Sequence, residues 1–346
     1  MSAGTRTAAR TANLTPALTR RRSVAAGLVV GVLALTGCGA GSGLVGVHDA
    51  PTQVTTTAPI SSENAQAIAT RVLAQVDEAA AATPADAQRL RTQALTGSAL
   101  AVANAASRLE TDTAPTTAPL TRTEPPKVLA VSRGTSWPRF ILVQSATAEG
   151  GAALNLLVSP EARTPFRLEA FAPMQPGASV AALDPLAAGS PVVSSGAQLP
   201  VQPAELLTEY AASLTYPKPV PAKDVDATDP FGTAIRAHAA EQARTFGALA
   251  TLKQVHAVQP DNTVAIALRG GGAVVFGLLE RTDTITLGKG GKSLTPSTDF
   301  QRLVRKKVLT RSAVLKTYET VVLTVPPEGK ATVVAVDEVL FSAQGS

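Results

Sequence analysis

The chain has a single cysteine, Cys38, among its 346 residues. An intramolecular disulfide is therefore impossible, and the roughly 300 residues that follow Cys38 must hold a folded structure together by burial alone. Hydrophobic residues make up 45% of the chain and aromatic residues only 3%, so the core must be built mainly from Ala, Val and Leu. This length predicts two domains of about 150 residues each.

The first 37 residues have the order of an export signal. They carry five arginines and no acidic residue, and an apolar stretch follows over residues 24–35. At about 12 residues, this stretch is shorter than the roughly 20 residues that a permanent membrane helix needs. A basic segment followed by a short apolar segment and small residues is typical of a cleaved signal peptide. We therefore expect residues 1–37 to be removed.

The sequence Leu35-Thr36-Gly37-Cys38 resembles the lipobox of bacterial lipoproteins. The resemblance implies cleavage between Gly37 and Cys38, acylation of the Cys38 thiol, and attachment to the cell membrane on its extracytoplasmic face. The alternative is a lone buried cysteine that behaves as a small hydrophobic residue. The Arg21-Arg22 pair leaves open whether export follows the general secretory or the twin-arginine route.

The charge balance excludes one class of partner. The whole chain has 31 basic and 26 acidic residues, but the leader holds five of the basic residues and none of the acidic ones. The mature chain is therefore balanced at 26 of each. A protein that binds nucleic acid normally carries a basic surface, so we expect no nucleic-acid partner.

Hydrophobic periodicity divides the remainder of the chain. Residues 38–60 are rich in Gly, Thr and other small residues, which predicts a lipidated N-terminus followed by a flexible tether. Helical spacing begins at residue 61 and strand-like patterns begin near residue 128, so we expect a first domain over 61–175. Pro, Gly and Ser punctuate residues 176–202, which we interpret as a linker. The order of helices and then strands recurs in a second domain over 203–346.

The expected fold class is α+β, with two similar units that each pack a small helical group on a curved antiparallel sheet. Residues 294–311 fit a helix or a strand equally well. Strands are predicted at 128–131, 140–143, 154–158 and 166–170 in the first unit, and at 252–258, 263–269, 273–279, 315–325 and 331–341 in the second.

This order of elements resembles the cone-shaped fold of nuclear transport factor 2, in which helices pack into the concave face of a sheet. A lipobox, a tether and a helix that begins near Ser62-Glu63-Asn64-Ala65 also resemble uncharacterised actinobacterial secreted lipoproteins. The first resemblance implies tandem cone-like domains. The second implies a location and no activity. The cone fold does not identify an activity either, because one fold hosts many functions.

His238 and Glu241 are the strongest candidates for chemistry. They lie three residues apart on a predicted helix over 231–249, so both side chains can face one ligand or form a proton-transfer pair. The alternative is a surface pair, since this spacing is common on charged helices. Zinc normally takes three or four protein ligands, and the folded region has only one other histidine, His256. We therefore expect no metal and no cofactor.

Trp137 and Arg139 form a second candidate site. The only tryptophan of the chain lies beside an arginine in a predicted connection between strands. Aromatic and arginine side chains dominate binding hot spots, so this loop is a candidate contact for a partner or ligand. The alternative is that Trp137 points inward and contributes to the core.

These features predict a membrane-anchored lipoprotein of the cell envelope that acts as a binding or interaction module and not as an enzyme. Its partners would be the membrane, through the N-terminal lipid, and an envelope protein or lipid. Two alternatives remain. One is a carrier of a small apolar or lipid ligand, which requires an apolar pocket between helices and sheet. The other is an unrecognised hydrolase or isomerase, which requires convergent polar groups.

Replacing the thiol tests the anchor. We expect Cys38→Ser to abolish palmitate labelling of the processed protein and its retention in the membrane fraction, because the serine hydroxyl does not replace the acylated thiol. Metabolic labelling and membrane fractionation measure both effects. Labelling that persists in the variant would contradict the assignment of Cys38.

Overall fold

The computed structural model describes residues 57–109, 124–147, 150–193 and 199–346. The predicted signal peptide, Cys38 and most of the predicted tether lie outside these residues. The described part is α+β, as the sequence predicts, with six helices and nine strands in two sheets.

Three helices come first in the described chain: α1 (Ser62–Ala80), α2 (Pro84–Ala94) and α3 (Gly97–Ala106). Helix α1 starts where the Ser61 hydroxyl accepts a hydrogen bond from the Asn64 backbone N–H, which satisfies one of the free donors of the first turn. Its buried residues recur at helical spacing and form one face. They are Ala65, Ala69, Val72, Leu73 and Ala79.

A four-stranded antiparallel sheet follows, in the order β1-β2-β3-β4. The four strands fall where the sequence patterns predict them. They are β1 (Lys127–Val131), β2 (Arg139–Ala146), β3 (Ala152–Ser159) and β4 (Arg167–Pro173).

The second half of the chain forms a five-stranded sheet in the order β5-β9-β8-β7-β6. All neighbours in this sheet are antiparallel except β5 and β9, which pair in parallel. The elements are α4 (Pro203–Ser213), β5 (Val225–Asp226), α5 (Pro230–Phe246), β6 (Ala250–Ala267), β7 (Ala273–Leu287), α6 (Thr298–Val304), β8 (Ser312–Val325) and β9 (Ala331–Gly345).

The structure corrects one prediction about the strands and resolves the ambiguity of residues 294–311. The strands predicted at 252–258 and 263–269 are one strand, β6, with an irregularity in its register between Gln259 and Val264. Pro260 falls within this irregularity on an edge strand, where a missing backbone donor disrupts little of the ladder. The ambiguous segment 294–311 contains the short helix α6, and its ends meet through a bridge between Leu294 and Leu309.

The described chain forms four layers: α1–α3, the four-stranded sheet, the five-stranded sheet, and α4–α6. Successive side chains of a strand point to opposite faces, so each sheet supplies two cores. On β2, Ile141 and Val143 pack with α1, whereas Phe140 and Leu142 pack against Val274 and other residues of the second sheet. Residues 140–143 of β2 therefore form a continuous apolar run, because both faces of this strand are covered.

The connection between the two sheets is packed rather than extended. Ser190 bridges to Ser132 at the end of β1, and Val192 bridges to Ile266 on β6. Residues 53–346 form one compact unit by their contacts. The division into domains over 61–175 and 203–346 remains a prediction about which parts fold independently.

Helix α4 lies very close to the five-stranded sheet at Gly277 of β7. A Cβ atom at this position would stand 2.5 Å from Cδ1 of Leu207, which is fully buried on α4. Any side chain larger than hydrogen would force the buried Leu207 side chain to shift. Gly277 therefore sets the distance between α4 and the sheet.

We expect Gly277→Ala to lower the free energy of unfolding by about 1–3 kcal/mol, because the added methyl group overpacks a filled core. Urea denaturation measures the difference. Gly270→Ala is the matched control, since a Cβ atom there meets no other atom within 4 Å. Equal stability of the two variants would show that α4 shifts freely.

Candidate functional site

A pocket of about 610 Å³ lies between α5, the segment that includes α6, and the five-stranded sheet. Its walls combine a large apolar group of residues with a smaller polar group. The apolar residues are Phe231, Ala234, Ile235, Phe246, Ile285, Leu294, Pro296, Phe300, Leu309, Ala313 and Leu315. The polar residues are His238, Gln242, Gln254, Arg281, Asp283, Thr295, Ser297 and Glu338.

Asp229 fixes the start of α5, the helix that covers the pocket. Its carboxylate accepts a hydrogen bond from the Gly232 backbone N–H at 2.9 Å and so caps the helix. The same carboxylate accepts from the Tyr210 hydroxyl on α4 at 3.0 Å and from the Gln175 side chain at 3.2 Å. Burial, and then the negative charge of Asp229, raises the pKa of Tyr210 far above its ordinary value. Tyr210 therefore stays a hydrogen-bond donor.

Arg281 of β7 is the centre of a network of charges on the sheet beside the pocket. Its Nη1 atom lies 2.9 Å from Glu319 of β8 and 2.9 Å from Glu338 of β9. Its Nε atom lies 3.1 Å from Asp283. Its Nη2 atom reaches the Thr317 hydroxyl at 3.4 Å. One guanidinium group thus holds three carboxylates from three adjacent strands.

The charges around Arg281 do not cancel. Burial alone would lower the pKa of Arg281, but Glu319, Asp283 and Glu338 together raise it above its ordinary value. The guanidinium is therefore charged at every physiological pH. Because three acidic side chains face one arginine, negative charge exceeds positive charge at the polar end of the pocket.

His256 of β6 is the register partner of Arg281 and contacts Glu319 of β8, and neither the His256 nor the Glu319 side chain is exposed to solvent. The His256 Nδ1 atom is 2.8 Å from the Glu319 carboxylate, while its Nε2 atom is buried without a partner. A histidine held in this way resembles the oriented base of many active sites. His256 does not line the pocket, however, so a molecule in the pocket does not meet this ring.

Of the two residues that the sequence predicts as a pair on α5, only His238 lines the pocket. His238 is exposed at the edge of the pocket. Glu241 forms an ion pair with Arg244 on the surface, with Arg244 Nε at 2.9 Å, and does not line the pocket. His238 therefore belongs to the candidate site, whereas the contacts of Glu241 fit a surface ion pair.

Trp137 and Arg139 lie at the start of the four-stranded sheet and not at the pocket. The Arg139 guanidinium carbon is 4.3 Å from the centre of the Trp137 ring, which is a cation–π distance. Both residues are partly buried. The two side chains contact each other, and their role in binding remains a prediction.

Sequence reasoning did not find the polar residues of the sheet. These residues lie on four different strands, so no local sequence pattern indicates that they converge. They are Gln254, Arg281, Asp283, Glu319 and Glu338. One feature of the sequence could have identified these residues: charged side chains interrupt apolar strands at positions where the sheet buries the side chain. A buried charge in a strand is uncommon and points to a partner across the sheet.

We expect Arg281→Met to lower the free energy of unfolding by about 3–5 kcal/mol, because it leaves buried carboxylates without a counter-charge. Chemical denaturation at pH 7 measures the loss. Lys316→Met is the matched control: it breaks the more exposed pair between Lys316 and Glu280, at 2.7 Å, and should cost less than about 1 kcal/mol. Equal losses would show that water screens the Arg281 network.

Asp337 precedes Glu338 on β9 and lies opposite Thr320 of β8. Burial, with a smaller effect from Glu338, raises the pKa of Asp337 from its ordinary 3.8 to about 7. The folded protein therefore keeps a proton that the unfolded chain has already released. The free energy of unfolding should fall as the pH rises from about 4 to about 7.

We expect Asp337→Asn to remove this part of the pH dependence. The variant should match the parent near pH 4 and exceed its stability by about 1–2 kcal/mol at pH 8, since the side chain is only partly buried. Urea denaturation at both pH values measures the effect. Asp261→Asn, at an exposed position on β6, is the control. An unchanged pH profile in Asp337→Asn would contradict the raised pKa.

The described residues hold neither a metal-binding cluster nor a helix that could span a membrane. Among residues 57–109, 124–147, 150–193 and 199–346, no three His, Cys, Asp or Glu side chains come together as a metal site. In the same part of the chain, no helix has the length and apolar character required to cross a bilayer.

Comparisons of the chain with protein-family models, curated protein sequences and solved structures gave no match. The predicted resemblances to lipoproteins and to the nuclear transport factor 2 fold stay predictions. The pocket and its charges are therefore the basis for a functional conclusion.

Proposed function

We propose that this protein binds and carries a small, largely apolar molecule at the extracytoplasmic face of the cell membrane. The observation that supports this most is the pocket of about 610 Å³ between α5, α6 and the five-stranded sheet. Pockets for small organic molecules commonly measure about 300–1,000 Å³ and are lined mainly by apolar side chains with a few polar groups. This pocket has both properties.

The predicted lipid anchor at Cys38 gives the carrier its place. A tether of about 20 residues has a root-mean-square reach of roughly 25 Å, so the folded unit can stay close to the membrane without being embedded in it. Anchoring raises the effective concentration of the pocket toward molecules that leave or enter the bilayer. A carrier of apolar molecules benefits from this position because its ligands partition into lipid.

The enzyme hypothesis has weaker support. Of the two candidate residues on α5, Glu241 pairs with Arg244 and does not line the pocket. The oriented His256 is enclosed between strands and does not line the pocket. A general base must come within hydrogen-bonding reach of its substrate. Binding therefore accounts for the pocket with fewer assumptions than catalysis.

Native mass spectrometry tests the proposal directly. The sample is residues 39–346, which contain the whole compact unit of residues 53–346. We expect an additional mass that is released on denaturation, since a filled apolar pocket retains its ligand during gentle purification. A spectrum without bound mass, together with no binding of the neutral dye Nile red, would redirect the search to a protein partner in the envelope.

A pair of variants on α5 locates the binding. Ala234 and Ala240 are both exposed on this helix, but only Ala234 lines the pocket. We expect Ala234→Trp to fill the pocket and weaken Nile red binding at least tenfold, and Ala240→Trp to leave it unchanged. Fluorescence titration measures both affinities. Equal binding by the two variants would place the dye outside the pocket and contradict the proposal.

A further inference from the structure

We propose that the ligand of this pocket carries a cationic N–H donor, such as a primary ammonium group, bound by Gln254 and Asp283. This inference rests on the proposed binding function and specifies the chemical class of the ligand. It comes from two separate observations: buried acceptors without donors, and an excess of negative charge at the same end of the pocket.

The first observation concerns hydrogen bonds. Gln254 of β6 and Asp283 of β7 are direct partners in the sheet register, and both line the pocket. Gln254 is only 4% exposed, and its Oε1 atom has no hydrogen-bond partner. The Oδ1 atom of Asp283 is also buried without a partner. Buried acceptors are nearly always paired, so two adjacent ones beside a pocket indicate a missing donor.

The second observation concerns charge. Asp283, Glu319 and Glu338 share the single guanidinium group of Arg281. His256, which contacts Glu319 alone among these carboxylates, would still leave one negative charge in excess if it were protonated. Uncompensated charge in a partly dehydrated site is unfavourable. A cation in the pocket would complete the balance.

An anionic ligand fits this site poorly. Arg281 is the only cationic side chain among the residues that line the pocket, apart from the titratable His238 at its edge. Each of the three guanidinium nitrogens already donates, to Asp283, to Glu319 and Glu338, or to Thr317. A carboxylate or phosphate would have to compete with these acceptors. One of the five guanidinium N–H groups, on Nη2, has no acceptor among these contacts, whereas Gln254 Oε1 and Asp283 Oδ1 are two buried acceptors without a donor.

The rest of the pocket suits an apolar body. The apolar lining includes residues from a helix on each side and from the sheet: Phe231, Ile235 and Phe246 of α5, Phe300 of α6 and Leu315 of β8. A molecule with an amine at one end and a hydrocarbon portion at the other matches both parts. The proposed ligand is thus a cationic amphiphile.

Competition among three ligands of equal chain length tests the charge preference. Octylammonium, octanol and octanoate are titrated, below their micellar concentrations, against Nile red bound to residues 39–346. We expect octylammonium to displace the dye at a concentration at least tenfold lower than octanol, and octanoate to be the weakest. Equal potency, or a preference for octanoate, would overturn the proposal while leaving the carrier function intact. Absence of Nile red binding would instead contradict the carrier function.

Variants assign the preference to the two side chains. Gln254→Leu removes an unpartnered acceptor without breaking an ion pair, and we expect it to reduce the advantage of octylammonium over octanol at least threefold. We expect Asp283→Asn to make octylammonium and octanol displace the dye at nearly equal concentrations. Gln259→Leu on β6 and Glu280→Gln on β7 are the controls, since neither residue lines the pocket. An advantage that persists in both pocket variants would overturn the assignment. If a variant fails to fold, the ligand series on the parent protein still decides the charge preference.

Discussion

The face-to-face packing of the two sheets is the contact on which the rest of this structure depends. No disulfide is available to the described chain, because its residues include no cysteine. Stability must then come from apolar surface, and the shared core between the sheets buries Phe140, Leu154 and Phe276 almost completely. This core leaves the outer face of each sheet free to receive helices. The pocket lies on one of those outer faces.

The buried charges on the five-stranded sheet have a different role from the apolar cores around them. A salt bridge removed from water gains little net stability, because desolvation offsets much of the attraction between the charges. Arg281 and Glu319 are nevertheless placed between the apolar cluster under α4 and the one under α6. The free-energy cost of desolvating these two side chains is expected where buried charges form a binding site. It supports the view that the network serves recognition of a ligand more than folding.

Much of the fold was predictable from the sequence, because local patterns carry it. The helical spacing of Ala65, Val72 and Val76, the capping Ser61 and the apolar run of residues 140–143 each identify their elements without tertiary information. The continuity of β6 through Pro260 was not predictable, since a proline among polar residues also favours a turn. The site was predictable only at His238. The register of the strands brings together Gln254, Arg281 and Glu338. No local sequence pattern shows this register.

The sequence by itself determined the class of fold and the order of the elements, and it predicts export and lipid attachment at Cys38. These follow from periodicity, capping residues and a short N-terminal motif, all of which act over a few neighbouring residues. The tertiary structure alone decided that the two sheets pack back to back, that α5 and α6 enclose a pocket, and that three carboxylates surround Arg281. Such contacts join residues far apart in the chain, and their geometry depends on the packing of the whole core.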